Sequence, residues 1–241
     1  MSTPNTLQDN SVYFFAASIP FAIVAFGYNF FIWDLSSFVT VHHLHGIAMF
    51  AWLFMLVTQA ALIRTKQRSL HRVLGKASYA LVPFIALTTV LLAHYSLGTR
   101  LGTPLGGLVL ALQLFLLLQF LILYGCAIKN HKVPEVHGRW MIGTAMPMID
   151  PIFNRLIMYT LVPIFPAFQL AGVFITFAAT DLLISALAYW DWNTNKRKDV
   201  FLPMLYICLA TQLPILALFF IAPWQTLWGE FANWFYSLPL S

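Results

Sequence analysis

The sequence predicts an all-α polytopic membrane protein: a seven-transmembrane-helix bundle with the N-terminus outside, followed by an interfacial amphipathic helix at the C-terminus. Three observations carry this. Of 241 residues, 60% are hydrophobic and 9% charged, against about 25% charged in soluble domains. The apolar residues fall in blocks long enough to cross a hydrocarbon core, which takes roughly 20 residues each. Those blocks are apolar on every face and lack the alternation of a membrane barrel.

Seven segments follow, near residues 12–33, 42–64, 72–97, 105–128, 138–162, 166–190 and 200–222, so residues 1–222 form one transmembrane domain. Orientation comes from the cations. Arg64, Lys66, Arg68, Arg72 and Lys76 flank the second loop, Lys129, Lys132 and Arg139 the fourth, and Lys196, Arg197 and Lys198 fill the sixth. The positive-inside rule places that side in the cytoplasm. The net charge of +5 then reports topology and not nucleic-acid binding. No Lys or Arg precedes the first helix, so it does not read as a cleavable signal peptide. Cys126 and Cys208, far apart and without CxxC spacing, are expected to be small packing residues.

The tail over residues 223–241, PWQTLWGEFANWFYSLPLS, repeats Trp224, Trp228, Phe231 and Phe235 at helical spacing, with Glu230 and Asn233 between them. This predicts a helix in the outer interface with its aromatic side in lipid.

Three of the seven histidines fall in Thr40–Gly46, TVHHLHG. With a hairpin folded near residue 68, His42 and His94 reach the same outer depth, and His45 lies one turn deeper on the face of His42. His42, His45 and His94 are therefore candidate ligands for zinc, copper or iron, while His43 is turned away. At the inner side His71 opens one helix in SLHRVLG and His137 another in EVHGRWMIG, each with an arginine close by, Arg72 and Arg139. Two neutral imidazoles on facing helices suit a b-type haem, with cations to offset its propionates. A bare metal would want three or four ligands.

Ionisable groups also lie within the apolar segments: Asp150 and Arg155 in MPMIDPIFNRL, and Asp181 in FAATDLLIS. Such groups are costly at that depth unless paired, which makes them functional candidates. The simplest pairing is Asp150 with Arg155 across a Pro151 kink; proton transfer, or an Arg155 that holds an anionic group, are the alternatives. Gln59, Gln113, Gln119 and Gln212 are expected to be interhelical hydrogen-bond partners.

The stretch from His45 to Tyr79, followed by HGRWMIGTAMPMIDPIFNR, resembles a family of predicted bacterial membrane proteins of unknown function. The matching positions are His45, Gln59, Arg64, His71, Arg72, Gly75, His137, Trp140, Met141 and Arg155. His-Arg-x-x-Gly at a helix start is also similar to a motif in haem A synthases, and paired histidines on neighbouring helices are similar to the cytochrome b561 proteins. The fourth segment has no histidine, so four ligands on four successive helices cannot be completed. The family brings no settled activity; the paired histidines and intramembrane charges, with these resemblances, lead to the expectation of a bacterial inner-membrane protein that binds haem b or a transition metal and passes electrons to or from a quinone or a partner subunit. His71 and His137 would be inner ligands, His45 or His42 with His94 outer ligands, Arg72, Arg139 and Arg155 anion partners, and Asp150 and Asp181 proton-handling groups. A metal-dependent enzyme acting on a lipid is a second expectation. A non-catalytic subunit or assembly factor of a respiratory or photosynthetic complex is a third.

Overall fold

In the computed structural model, which describes residues 6–32, 40–165 and 168–240, every regular element is helical. The chain runs through α1 (Thr6–Ile32), α2 (Thr40–Arg64), α3 (Arg68–Gly75), α4 (Ser78–Gly98), α5 (Pro104–Lys129), α6 (Pro134–Gly143), α7 (Met146–Thr160), α8 (Phe168–Asn195), α9 (Phe201–Phe220) and α10 (Ala222–Tyr236). Residue 33, at the end of the first expected segment, and residues 166–167, at the start of the sixth, lie outside the described residues.

Among the described residues six stretches are long and apolar enough to cross a membrane: Asn10–Gly27, Thr40–Arg64, Arg68–Gly98, Leu105–Lys129, Ala171–Asn195 and Phe201–Phe220. The outer surface is correspondingly apolar, with Leu182 70% and Phe220 76% exposed, as a bilayer environment requires. The expected segment 138–162 is instead divided between α6 and α7, each too short to cross alone. Pro147 has no N–H to offer the Gly143 carbonyl, and the chain tightens there, Ala145 N–H bonding back only three residues to Ile142 (3.1 Å). The third segment breaks more gently, at Lys76–Ala77, where three-residue bonds from Ala77, Tyr79 and Ala80 carry α3 into α4.

Local chemistry sets the turns. Thr103 caps α5, its Oγ1 accepting from Gly106 N–H at 3.1 Å, and Pro104 occupies the first helical position. α2 ends with Lys66 in the left-handed region (φ 61°), and Gln67 N–H returns to the Leu62 carbonyl at 2.8 Å. Glycine ordinarily holds that position.

α1 packs on α2 and α7, α2 on α4, α5 on α4 and α9, and α8 on α7 and α9. The turns that carry the cations meet at one end of the bundle. Arg197 Nη1 donates to Glu135 Oε2 at 2.9 Å, joining the α8–α9 turn to the start of α6, and His71 stands beside His137. This is the basic end.

The tail differs from expectation in the face it buries. Trp228 and Phe235 are 8% and 6% exposed and pack with Leu97, Leu110 and Ile215, whereas Trp234 is 57% exposed. Each indole N–H needs an acceptor, and the bundle supplies them: Trp228 Nε1 donates to Gly107 O and Trp224 Nε1 to Pro214 O, both at 2.8 Å. Lipid tails offer no such acceptors, so this aromatic stripe turns inward.

Candidate functional site

At the basic end the rings of His71 and His137 have centroids 6.4 Å apart and planes at 82°. Both imidazoles are half-buried and come from the first turns of α3 and α6. His137 Nδ1–H donates to the Ala127 carbonyl at 2.9 Å, a group freed by the end of α5, which fixes the tautomer and leaves the Nε2 lone pair open. His71 is held from α2. With its amide oriented to satisfy both sides, Gln59 accepts from Gly75 N–H at 2.9 Å and donates to the His71 carbonyl at 3.1 Å and to His71 Nδ1. That arrangement puts the His71 proton on Nε2. Behind the pair, Tyr124 OH donates to Ser78 Oγ at 2.8 Å, while Ser78 donates to the Gly75 carbonyl at 2.6 Å, tying α5 to the α3–α4 junction.

The donor set bears on what could bind. Two imidazoles coordinated at about 2 Å on opposite sides of one metal have ring centres about 6 Å apart, close to the separation found. Among the described residues no group of three or more His, Cys, Asp and Glu side chains is placed to hold a metal ion. A two-imidazole set suits a haem iron, whose porphyrin brings its own equatorial nitrogens, better than zinc or copper. His137 is ready as such a ligand. His71 becomes one when its Nδ1 carries the proton and the Gln59 amide turns to accept it.

The nearby arginines divide. Arg72 is exposed and free to reach anionic groups at the rim. Arg139, expected to share that role, is 1% exposed and bound to Asp191, with Nε to Oδ2 at 2.9 Å and Nη2 to Oδ1 at 2.7 Å. Its Nη1 donates to the Glu135 carbonyl at 3.0 Å, and Asn195 Nδ2 donates to Asp191 Oδ1 at 2.7 Å. Three of the five N–H donors of this guanidinium are spent inside the protein.

The far end does not assemble the expected metal trio of His42, His45 and His94. The depth reading holds, because the His42 ring meets Tyr95, the neighbour of His94, at 5.2 Å. The facing does not. His94 is 4% exposed, stacks on Tyr236 at 5.3 Å and donates from Nε2 to the Tyr236 carbonyl at 3.1 Å, so it holds α10. His45 Nδ1 lies near Thr88 and Thr89 Oγ1 at 3.4 and 3.5 Å, with the Arg155 guanidinium and the His42 imidazole as electrostatic neighbours. His43 lines a shallow apolar cleft with Gly46, Ile47 and Phe50.

Nor is Asp150 paired with Arg155. α7 continues through Pro151, so residues five apart stay on different faces. Asp150 accepts instead from Thr180 Oγ1 at 2.5 Å, and the Arg155 guanidinium lies over the Phe26 ring at 4.5 Å. Both cysteines are free; buried Cys208 accepts from Gln119 Nε2 at 3.1 Å.

Comparison with family models, with characterised proteins and with solved structures yields no match. Gln59, both a matching position of the resemblance and one of the four expected hydrogen-bond glutamines, stands twelve residues before His71 across one turn, and that spacing is the signal for its place here. Asp191 and Thr180 carry no signal in the sequence, since their roles depend on which helices meet.

Proposed function

We propose that the chain is a seven-crossing redox protein of the bacterial inner membrane, its basic end in the cytoplasm. It holds a b-type haem iron between His71 and His137 and passes electrons to or from a quinone or a partner subunit. The observation that carries this is the 6.4 Å separation of the two rings, each with Nδ1 engaged by the protein. Bound there, haem supplies a reversible one-electron couple.

The chain's own residues do the rest. The Ala127 carbonyl orients His137 and raises its basicity, as outer partners do for metal-bound imidazoles. Gln59 would perform the same service for His71 once its amide turned to accept from His71 Nδ1–H. Arg72, one residue on, offers its charge to carboxylates at the exposed edge, and Tyr124 with Ser78 closes the inner side.

Seven crossings are supported by parity. α5 and α8 both end at the basic end, as the Arg197–Glu135 contact indicates. Because α8 crosses once, the chain returns to the far end between them, through α6 and α7 together. The three basic turns then share one face, as positive-inside topology requires.

The test is the visible spectrum of protein purified from membranes in mild detergent, with and without dithionite. A Soret band and a sharp reduced α band are expected, lost in His71→Ala and His137→Ala and kept in His43→Ala. Colourless protein with stoichiometric zinc or copper, or colour that survives both alanine variants, overturns the proposal.

A further inference from the structure

Far from the histidine pair, three buried polar atoms on three helices are left without hydrogen bonds: Asp150 Oδ2 on α7, Asp181 Oδ1 on α8 and Gln212 Nε2 on α9. Asp150 is 3% exposed and Gln212 2%. Asp181 bears electrostatically on Asp150, and Gln212 is the polar side chain facing Asp181, yet the two leave Oδ1 and Nε2 unjoined. Buried polar atoms are seldom orphaned, and each one is costly. With Asp181 between the other two on packed helices, the three define a need: one donor to be accepted and two acceptors to be filled.

One water molecule meets it. Its oxygen accepts from Gln212 N–H, and its two O–H groups serve the carboxyl oxygens. A sodium ion would face the Gln212 amide hydrogens, and a chloride ion would face two carboxylates. We infer that Asp150, Asp181 and Gln212 enclose an internal water and hold one proton between the two carboxyl groups, a proton-binding site inside the bundle.

The charge around the site supports a bound proton. Asp181 on α8 and the Cys208 thiol on α9 are the titratable groups facing Asp150. Arg155, on the same helix, is turned onto Phe26 of α1. α5 contributes the neutral amide of Gln119, which accepts from Thr211 Oγ1 at 3.0 Å. Among the described residues no cation pairs with either carboxylate. Two like charges sharing a low-dielectric site retain a proton between them. Thr180 fixes the geometry by donating to Asp150 Oδ1, which leaves Oδ2 as the oxygen without a partner. Pro151 adds polarity, since it cannot donate to the Pro147 carbonyl. The site stands independently of the haem proposal.

Infrared spectroscopy of the full chain in liposomes tests it. A protonated-carboxyl C=O band at pH 7 that shifts in D2O is expected, and Asp150→Asn/Asp181→Asn should abolish it. Each single Asn variant should move the pH at which the remaining band titrates, because the partner charge is gone. No band in the wild type, a band unchanged in the double variant, or single variants that titrate alike with the wild type each overturn the proposal. Should an Asn variant fail to fold, dicyclohexylcarbodiimide, which modifies protonated carboxyls in apolar surroundings, decides on the wild type. One label per chain, at Asp150 or Asp181, is expected, and labelling at neither overturns the assignment.

Discussion

Arg139 on α6 and Asp191 on α8 form a bidentate ion pair with side chains only 1% and 2% exposed. It fastens α6, the helix that presents His137, to the end of α8 that runs into the basic α8–α9 turn. Breaking a buried pair by removing one partner costs about 3–5 kcal/mol, because the other charge is stranded, whereas replacing both with apolar groups costs far less. Arg139→Met should therefore sharply lower the unfolding midpoint in detergent, and Arg139→Met/Asp191→Leu should recover most of the loss. Equal loss in single and double variants would refute the stranded-charge account.

Gln59 gives a prediction about redox potential. If His71 and His137 hold the proposed haem, a carboxylate in its place would accept firmly from His71 Nδ1–H and make the ring a stronger donor, favouring the oxidised state. Gln59→Glu should lower the midpoint potential, and Gln59→Leu should raise it. Potentiometric titration checks the order, and an unchanged potential in both variants would remove Gln59 from the site.

The inward aromatic stripe of α10 can be probed by limited proteolysis. Trp228→Phe removes the bond to the Gly107 carbonyl, worth about 1 kcal/mol, and His94→Ala removes both the stack on Tyr236 and a bond to its carbonyl. Both should speed cleavage within 222–240. Neither should alter a haem spectrum, and His94→Ala loss of colour would restore the far-end ligand reading.

A pH effect is expected at the α8–α9 turn. The Arg197 guanidinium, bonded to both Asp199 oxygens at 3.0 and 2.7 Å, holds the Asp199 carboxyl below its usual value. A depressed carboxyl contributes stability above its unfolded pKa, about 3.9, and loses it as pH falls through the lower folded value. Asp199 is 52% exposed, so screening limits the contribution to a few tenths of a kcal/mol. Amide exchange in this turn should rise on Asp199→Asn at pH 7, and the difference from wild type should shrink as pH falls below about 3.9. A variant effect that persists in acid would contradict the ion-pair account.

The helical class and most of the helix positions could be read from the sequence because they depend on local quantities: apolar block length, cation placement and turn residues. The axial depth of side chains was legible too, since rise per residue is fixed. His71 with His137, and His42 with the neighbour of His94, both came out at matching depth. What was not legible is azimuth. His94 turned to α10, Arg139 to Asp191 and Asp150 to Thr180 because helix contacts between distant segments decide which face meets which partner. The break at Pro147, which cuts the fifth segment in two, was visible as a proline but not as the end of a helix.

The most direct test of the His71–His137 assignment is the low-temperature electron paramagnetic resonance spectrum of the oxidised protein. The two imidazole planes stand near perpendicular, at 82°; if both rings held a haem iron, they would donate to different d orbitals and give a strongly anisotropic low-spin signal. That signal is predicted, and it should vanish in His71→Ala and in His137→Ala. A high-spin or ordinary rhombic signal, or one indifferent to both variants, would contradict ligation by this pair.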